Sequence, residues 1–423
     1  MTSDRRWVRN LRNLPIAAVV AGLLVACAGT PAPLRPVAPP PAAVASGSRL
    51  AGVGLAPGPT TSPGGPTWTP WPAAMHDARH SGVAVGDGPR AGRVRWHRSL
   101  GAPVEAGPVL AADGTIYTAT NAGVLHAVDP ATGADRWTYD SHRPDPDDAD
   151  LSTSALVLPD GTVLWGTPAH DLVALSPAGA LLWTQPLPGR ATSPATSDGR
   201  RVYVGDTGGG VSAFDVAAGG HRPAWTVDVG TTSYGSVVTD GSGRLYTTVD
   251  TALIALDDQG ATGRVAWRAD PGDGISEVSA GLAADGTALL GTNGTREWAY
   301  RRDGTVSWTA PAVITYSSPA VTADGDAYLA DHAGRVRVVR TADGSEAGSY
   351  QLEPPRQIWS SVVVDRARRV YFGTQQGHLF GVAPDGSVLF DLALGGPIDA
   401  YPALTADGAL IVGDRDGGLT AVT

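Results

Sequence analysis

From Arg93 onward the chain alternates short apolar runs with turns rich in Asp, Asn, Pro and Gly. The stretch "GPVLAADGTIYTATNAGVLHAVDPATGADRW", Gly107 to Trp137, shows the grammar, with turns at Asp-Gly, Asn-Ala-Gly and Pro-Ala-Thr-Gly. Asp-Gly between apolar runs predicts a hairpin, because the turn needs a positive φ that glycine adopts without strain. The pair returns at Asp160, Asp198, Asp240, Asp285, Asp324 and Asp407. Four short strands per unit follow. Each unit ends on an aromatic marker: Trp96, Trp137, Trp183, Trp225, Trp267, Trp308, Tyr350 and Phe390, at steps of 41, 46, 42, 42, 41, 42 and 40 residues. A period of about 40–50 residues carrying several short strands is the signature of a β-propeller with one blade per repeat. The fold class is therefore all-β: eight four-stranded blades over residues 93–423. The seventh repeat replaces Asp-Gly with Asp365-Arg366-Ala367-Arg368-Arg369.

Ring closure is also written in the chain. After Phe390 only 33 residues remain, with no further aromatic strand, while "RVRWHRS" (Arg93 to Ser99) has no blade before it. This N-terminal strand is expected to complete the eighth blade and remove an open sheet edge. The tryptophans are expected to be buried anchors between blades. Full burial of one removes roughly 150–250 Å² from water, at most about 4–6 kcal/mol. The turn aspartates read as turn chemistry and not as Ca²⁺ ligands, since each stands beside one glycine and not in an alternating carboxylate loop.

The N-terminus divides into segments. Arg5, Arg6, Arg9 and Arg12 precede an apolar stretch from Leu14 to Ala26, too short to cross a bilayer and suited to a signal-peptide core over residues 1–26. It ends in Leu24-Val25-Ala26-Cys27, which resembles the lipobox of bacterial lipoproteins, and Cys27 is the one cysteine. By that resemblance Cys27 is lipidated and the protein is extracytoplasmic, held on the outer membrane or the outer face of the cell membrane. Residues 27–70, dominated by Pro, Ala, Gly, Ser and Thr, read as a disordered tether, and 71–92 as an entry segment. Within the latter, His76 and His80 have the i,i+4 spacing of a zinc helix but lack the accompanying glutamate. Pro72 and Gly82 fit a loop lying across the ring.

Charge narrows the partners. The net charge is −10, and loss of residues 1–26 (four Arg, one Asp) takes it to −13. All 31 basic residues are arginine. An acidic body disfavours nucleic acid and anionic lipid, and the absence of lysine excludes Schiff-base chemistry and a P-loop. The membrane is expected to be met through the anchor only, and the protein to be monomeric.

"AVDPATGADRW" (Ala127 to Trp137) resembles the tryptophan-docking repeat of pyrroloquinoline-quinone (PQQ) propellers, and "WPAAMHDARHSG" (Trp71 to Gly82) resembles the entry motif of PQQ-like repeat proteins. The resemblance spans about residues 71–423. It implies two kinds of function: quinoprotein dehydrogenase, or a cofactor-free propeller such as the lipoprotein scaffold of the outer-membrane assembly machine. Dehydrogenases of this type carry adjacent cysteines and long insertions bearing Ca²⁺ ligands. This chain has neither, and its longest step holds only "RPDPDDADL" (Arg143 to Leu151), read as a solvated acidic excursion. PQQ and Ca²⁺ are not expected, nor a catalytic residue. The functional reading is a protein-interaction scaffold, with a carbohydrate- or peptide-binding module as the alternative.

Aligning the innermost strands puts Ser154, Ser193, Ser236, Ser279, Ser318 and Ser361 at one position, with Gly107 and Tyr401 in blades one and eight. A small residue there is read as a packing requirement near the axis. Two residues earlier stand Glu105, Ser152, Ala191, Tyr234, Glu277, Tyr316, Trp359 and Asp399. Glu105, Tyr234, Glu277, Tyr316, Trp359 and Asp399 are the candidate ligand or partner contacts at the channel mouth. Trp359 and Tyr316 would form a floor, with Asp399 and Glu105 as polar contacts.

Overall fold

The computed structural model describes residues 49–51, 71–141, 153–191, 193–216, 221–230, 235–275 and 278–423. Eight antiparallel sheets follow one another around a ring as an eight-bladed β-propeller. Blade one is Val109–Leu110, Ile116–Thr120, Val124–Val128 and Asp135–Asp140, from axis to perimeter, and blades two to seven repeat that order. Blade eight takes Ala403–Leu404, Leu410–Gly413 and Gly418–Val422 from the C-terminal end. Its outer strand is Val94–Ser99, with Val94 opposite Val422 and Ser99 opposite Gly418. The expected closure is present.

The Asp-Gly turns are as read. Gly114, Gly161, Gly199, Gly241 and Gly286 have φ between 77° and 87°. The preceding aspartates Asp113, Asp160, Asp198, Asp240 and Asp285 each accept the backbone N–H two residues on, at 2.9 Å. One oxygen of each carboxylate thus closes the turn. In the seventh repeat Arg368 takes the left-handed φ of 60° in glycine's place. That conformation costs about 1 kcal/mol or more for a residue with a Cβ. In return its guanidinium reaches into blade six, pairing with Asp324 and, at 2.6 Å, with fully buried Asp326.

The aromatic markers form the joints between blades, but four are shallower than expected. Trp96, Trp137, Trp183 and Trp267 are half-buried, whereas Trp225, Trp308, Tyr350 and Phe390 are buried. Several of these rings lie against a glycine of the next blade's outer turn, at the perimeter. A Cβ on Gly133, Gly179, Gly304 or Gly344 would stand 2.5–2.9 Å from Trp96, Trp137, Trp267 or Trp308. The indole N–H then donates to a turn carbonyl, as from Trp96 to Pro130 and from Trp137 to Pro177, both at 2.8 Å.

At the axis, the serine position does more than pack. Backbone N–H groups of Ser236, Ser279 and Ser318 donate to the hydroxyls of Ser279, Ser318 and Ser361, each one blade further round, at 2.9–3.1 Å. Blades eight and one break the series together. The Tyr401 ring passes where a Gly107 side chain would be, with a Cβ only 2.1 Å from it, and its hydroxyl meets Ser154 in blade two at 2.8 Å.

One channel mouth is sealed by the entry segment. The carbonyls of Trp71, Pro72, Ala78, Arg79, Ser81 and Gly82 accept the N–H groups of Leu110, Val157, Thr239, Leu282, Val321 and Val364, at 2.7–3.1 Å. Every donor is the second residue of a two-residue innermost strand, in blades one, two and four to seven. Inner edges that would present bare N–H groups are thereby satisfied. Asp77 holds the loop's shape, accepting from the N–H of Arg79 and from both N–H and hydroxyl of Ser81. His76 and His80 take left-handed φ values of 82° and 54° and so do not sit on a zinc helix. Burial pushes the His80 imidazole down to about 4.

One element departs from the tether reading. Arg49–Ala51 is a strand, paired antiparallel with the outer strand of blade six, Glu346–Glu353. The acidic excursion of blade two lies outside the described residues, as does Cys27.

Between blades five and six, Glu297 pairs with Arg337 at 2.9 Å, while its Oε2 has no partner among the described residues. Burial outweighs the guanidinium and pushes the carboxyl up to about 7 from 4.5. The folded form therefore binds the proton more tightly than the unfolded chain. The associated stability is fully present below about pH 4.5 and is lost as pH rises through about 7. Urea midpoints measured from pH 4.5 to 7.5 should fall less steeply for Glu297→Gln than for the parent.

Candidate functional site

The opposite mouth is built from two sets of residues. The first lies in the segment that leads into each innermost strand, four residues ahead of it. Glu105, Tyr316, Trp359 and Asp399 are each half-buried between buried neighbours such as Ile358 and Ser360. Tyr234 and Glu277 lie outside the described residues, and so does Ser152. Ala191 is buried and bridges to Asp206, leaving blade three without a large side chain there.

The second set comes from the hairpin between the second and third strands of each blade. A backbone N–H near its start donates to the segment ahead of the innermost strand: Asn121 to Pro103, His332 to Ile314, Gln375 to Gln357 and Arg415 to Pro397, at 2.9–3.1 Å. This bond brings the hairpin side chains over the mouth. Sequence reading passed over them because they belong to turns. The available signal was the repeat itself, since each follows the second strand within two residues.

Together the two sets divide the mouth. On blades six and seven, His332 stacks on Trp359 at 5.4 Å and 11°, and Tyr316 meets both rings, at 4.7 Å from His332 and 5.2 Å from Trp359. Burial holds the imidazole below its ordinary value, so His332 is neutral near pH 7, and its Nε2 has no partner among the described residues. Val313 and Ile314, on the approach to Tyr316, are 45% and 41% exposed. An aromatic cluster thus adjoins an apolar rim.

On blades eight and one the picture is ionic. Arg415 lies between Glu105 and Asp399, at 2.6 Å and 3.6 Å. Asn121 donates to Glu105 at 3.0 Å, and Gln375 to Asp399. The carboxylates expected to greet a ligand directly are bridged by a guanidinium that offsets their charge. A cation would have to compete with it; a ligand bearing both an acceptor and an apolar face would not.

A family model described as outer membrane protein assembly factor BamB matches residues 80–146, 123–222 and 218–423, and the chain belongs to that family. No curated protein matches it. Among solved structures, quinohemoprotein alcohol dehydrogenase from Comamonas testosteroni is similar with a TM-score of 0.70 and 15% identity, covering 84% of this chain and 81% of that one. BamB from Moraxella catarrhalis is similar with a TM-score of 0.64 and 14% identity, covering 79% of this chain and all of that one. A europium-containing methanol dehydrogenase gives 0.64 and 14%, covering 82% and 89%. At these identities the likeness is one of fold.

Cys27 is the one cysteine, so no adjacent pair exists. Among the described residues no three His, Cys, Asp or Glu side chains converge as a metal site.

The ionic half makes a testable demand. Arg415→Gln leaves two half-buried carboxylates facing each other and should cost roughly 1–3 kcal/mol in urea unfolding. Adding Asp399→Asn should return part of that loss. Strictly additive effects would show that the three groups are not coupled.

Proposed function

We propose that this family member is a non-enzymatic, lipid-anchored propeller of the bacterial cell envelope that holds a protein partner at its open mouth. The observation that carries the reading is the asymmetry of the two mouths. One is sealed by residues 71–84 through main-chain bonds to six blades. The other offers Tyr316, His332 and Trp359 beside exposed Val313 and Ile314. Aromatic side chains next to an apolar rim and a satisfied polar network are the make-up of a protein-binding centre. Membership of a family described by outer-membrane protein assembly supports a scaffold in the envelope.

The lipid anchor rests on Leu24-Val25-Ala26-Cys27 alone. A second reading, a module for carbohydrate or peptide, is favoured by the stacked His332–Trp359 pair, whose faces suit a sugar ring. Dye-linked alcohol oxidation after reconstitution with PQQ and Ca²⁺ would overturn both binding readings.

Two measurements test the proposal. Cys27→Ser should move the protein from the membrane to the soluble extracytoplasmic fraction with its melting temperature unchanged; continued detergent-sensitive membrane association would refute the anchor. Trp359→Ala should reduce recovery of a stoichiometric protein partner from crosslinked envelopes by about tenfold or more, the loss typical of a buried aromatic anchor. Recovery within threefold of the parent, at equal stability, would place the partner surface elsewhere. Binding to a glycan array without any protein partner would favour the second reading.

A further inference from the structure

The joint between blades two and three is filled differently from the others. Across most blades a row of paired residues sets a second-strand tyrosine beside the marker ring. Tyr117 meets Trp137, Tyr203 meets Trp225, Tyr246 meets Trp267 and Tyr371 meets Phe390, with ring centroids 5.6–6.2 Å apart. In blade two the row reads Leu164, Ala174 and Trp183. The aromatic residue of that strand stands one place later, at Trp165, and alternation turns it to the opposite face, where it meets Tyr139 of blade one. Blades five and eight also have aliphatic residues in the row, Leu289 and Ile411. There, however, Trp308 and Trp96 lie on Gly344 and Gly133 and donate to Thr341 and Pro130. Trp183 donates to no acceptor among the described residues. Under it lies a cavity of about 270 Å³, walled by Leu164, Leu172 and Trp183 of blade two and by Val202 and Phe214 of blade three. Exposed Asp160 and Leu182 stand at its edge.

We propose that this cavity binds an uncharged, largely apolar molecule of about two rings, with a hydrogen-bond donor turned to Asp160. The walls are core side chains: Leu164, Leu172, Val202 and Phe214 are at most 2% exposed, so an apolar body entering there is taken out of water. An apolar cavity of about 150 Å³ already admits benzene, and this one has room for a second ring. One Asp160 oxygen accepts the N–H of Thr162 at 2.9 Å, and the other has no partner among the described residues. A carboxylate so placed accepts a donor and repels an anion, which sets the ligand apart from fatty acids. The site is on the perimeter, apart from the mouth residues, and does not depend on what the mouth binds.

The test uses the full chain carrying Cys27→Ser, so that no detergent competes for an apolar probe. N-phenyl-1-naphthylamine, neutral and with one N–H, should bind saturably at one molecule per chain, read from its fluorescence. Its sulfonated counterpart, 1-anilinonaphthalene-8-sulfonate, should bind at least about threefold more weakly, and Asp160→Asn should narrow that gap. Leu164→Tyr rebuilds the row of blade three, where the Tyr203 hydroxyl donates to Asp198 at 3.1 Å. It should therefore fold with an equal or higher melting temperature and weaken the neutral probe by about tenfold or more. Leu182→Asp, at the exposed edge, should weaken it as well without touching the core; should Leu164→Tyr fail to fold, this variant decides alone. Undiminished binding to the folded variants, no saturable binding to the parent, or tighter binding of the sulfonate than of the neutral probe would overturn the proposal.

Discussion

The constraint on which the ring depends is the contact between an aromatic ring of one blade and a glycine in the outer turn of the next. A four-stranded sheet has two faces to bury and cannot do so alone. Here each face is closed by a neighbour, and the outer joint fixes the angle at which neighbours meet. The ring lies where a Cβ would be, as Trp308 does over Gly344, so glycine is required at the receiving position. The indole N–H ties to a turn carbonyl, which adds direction to an otherwise non-directional contact. Phe390 on Gly92 and Trp96 on Gly133 extend the same joint across the junction of the chain's two ends. Because every blade is held on both sides, the mouths become fixed platforms.

Those platforms then diverge. At one mouth, the innermost strands find main-chain partners in a single loop, and little side-chain chemistry is left facing outward. At the other, large side chains stand just ahead of the strands and the neighbouring hairpins lean over them. An arginine drawn between two carboxylates and an imidazole stacked on an indole come from four consecutive blades, six, seven, eight and one. The surface is mixed in character, aromatic and apolar on one side and ionic on the other.

Much of this is legible in the chain, and the remainder follows a rule. The repeat, the turns and the closure by residues 93–99 depend on local pattern or on counting strands, so the sequence displays them. Glu105, Tyr316, Trp359 and Asp399 are found by aligning repeats, because each stands at a fixed distance ahead of its innermost strand. Their partners are another matter. Arg415 meets Glu105 only because blade eight is adjacent to blade one, and nothing in a turn "GDRDG" announces that neighbour. The serine position is visible as a small residue, but its hydrogen bonds run to the next blade and need three dimensions. Tryptophan identity suggests deep burial; position at the perimeter makes several of these rings shallow. The strand at Arg49–Ala51 escapes for a similar reason, since its partner lies some three hundred residues away.

Closure by an N-terminal strand has a consequence for how the molecule comes to exist. Val94 is among the first residues of the ring to be synthesised and Val422 among the last, and they face each other in one blade. Until Gly418–Val422 is available, Val94–Ser99 has no sheet to join, and the sealing loop before it has no complete ring to cross. Joining ends so far apart adds only about 0.6 kcal/mol of entropy for each doubling of the intervening length. The burden is therefore one of time more than of energy, since distant pairings form late. The topology thus makes completion of the eighth blade, and with it of the ring, wait on that blade's C-terminal strand.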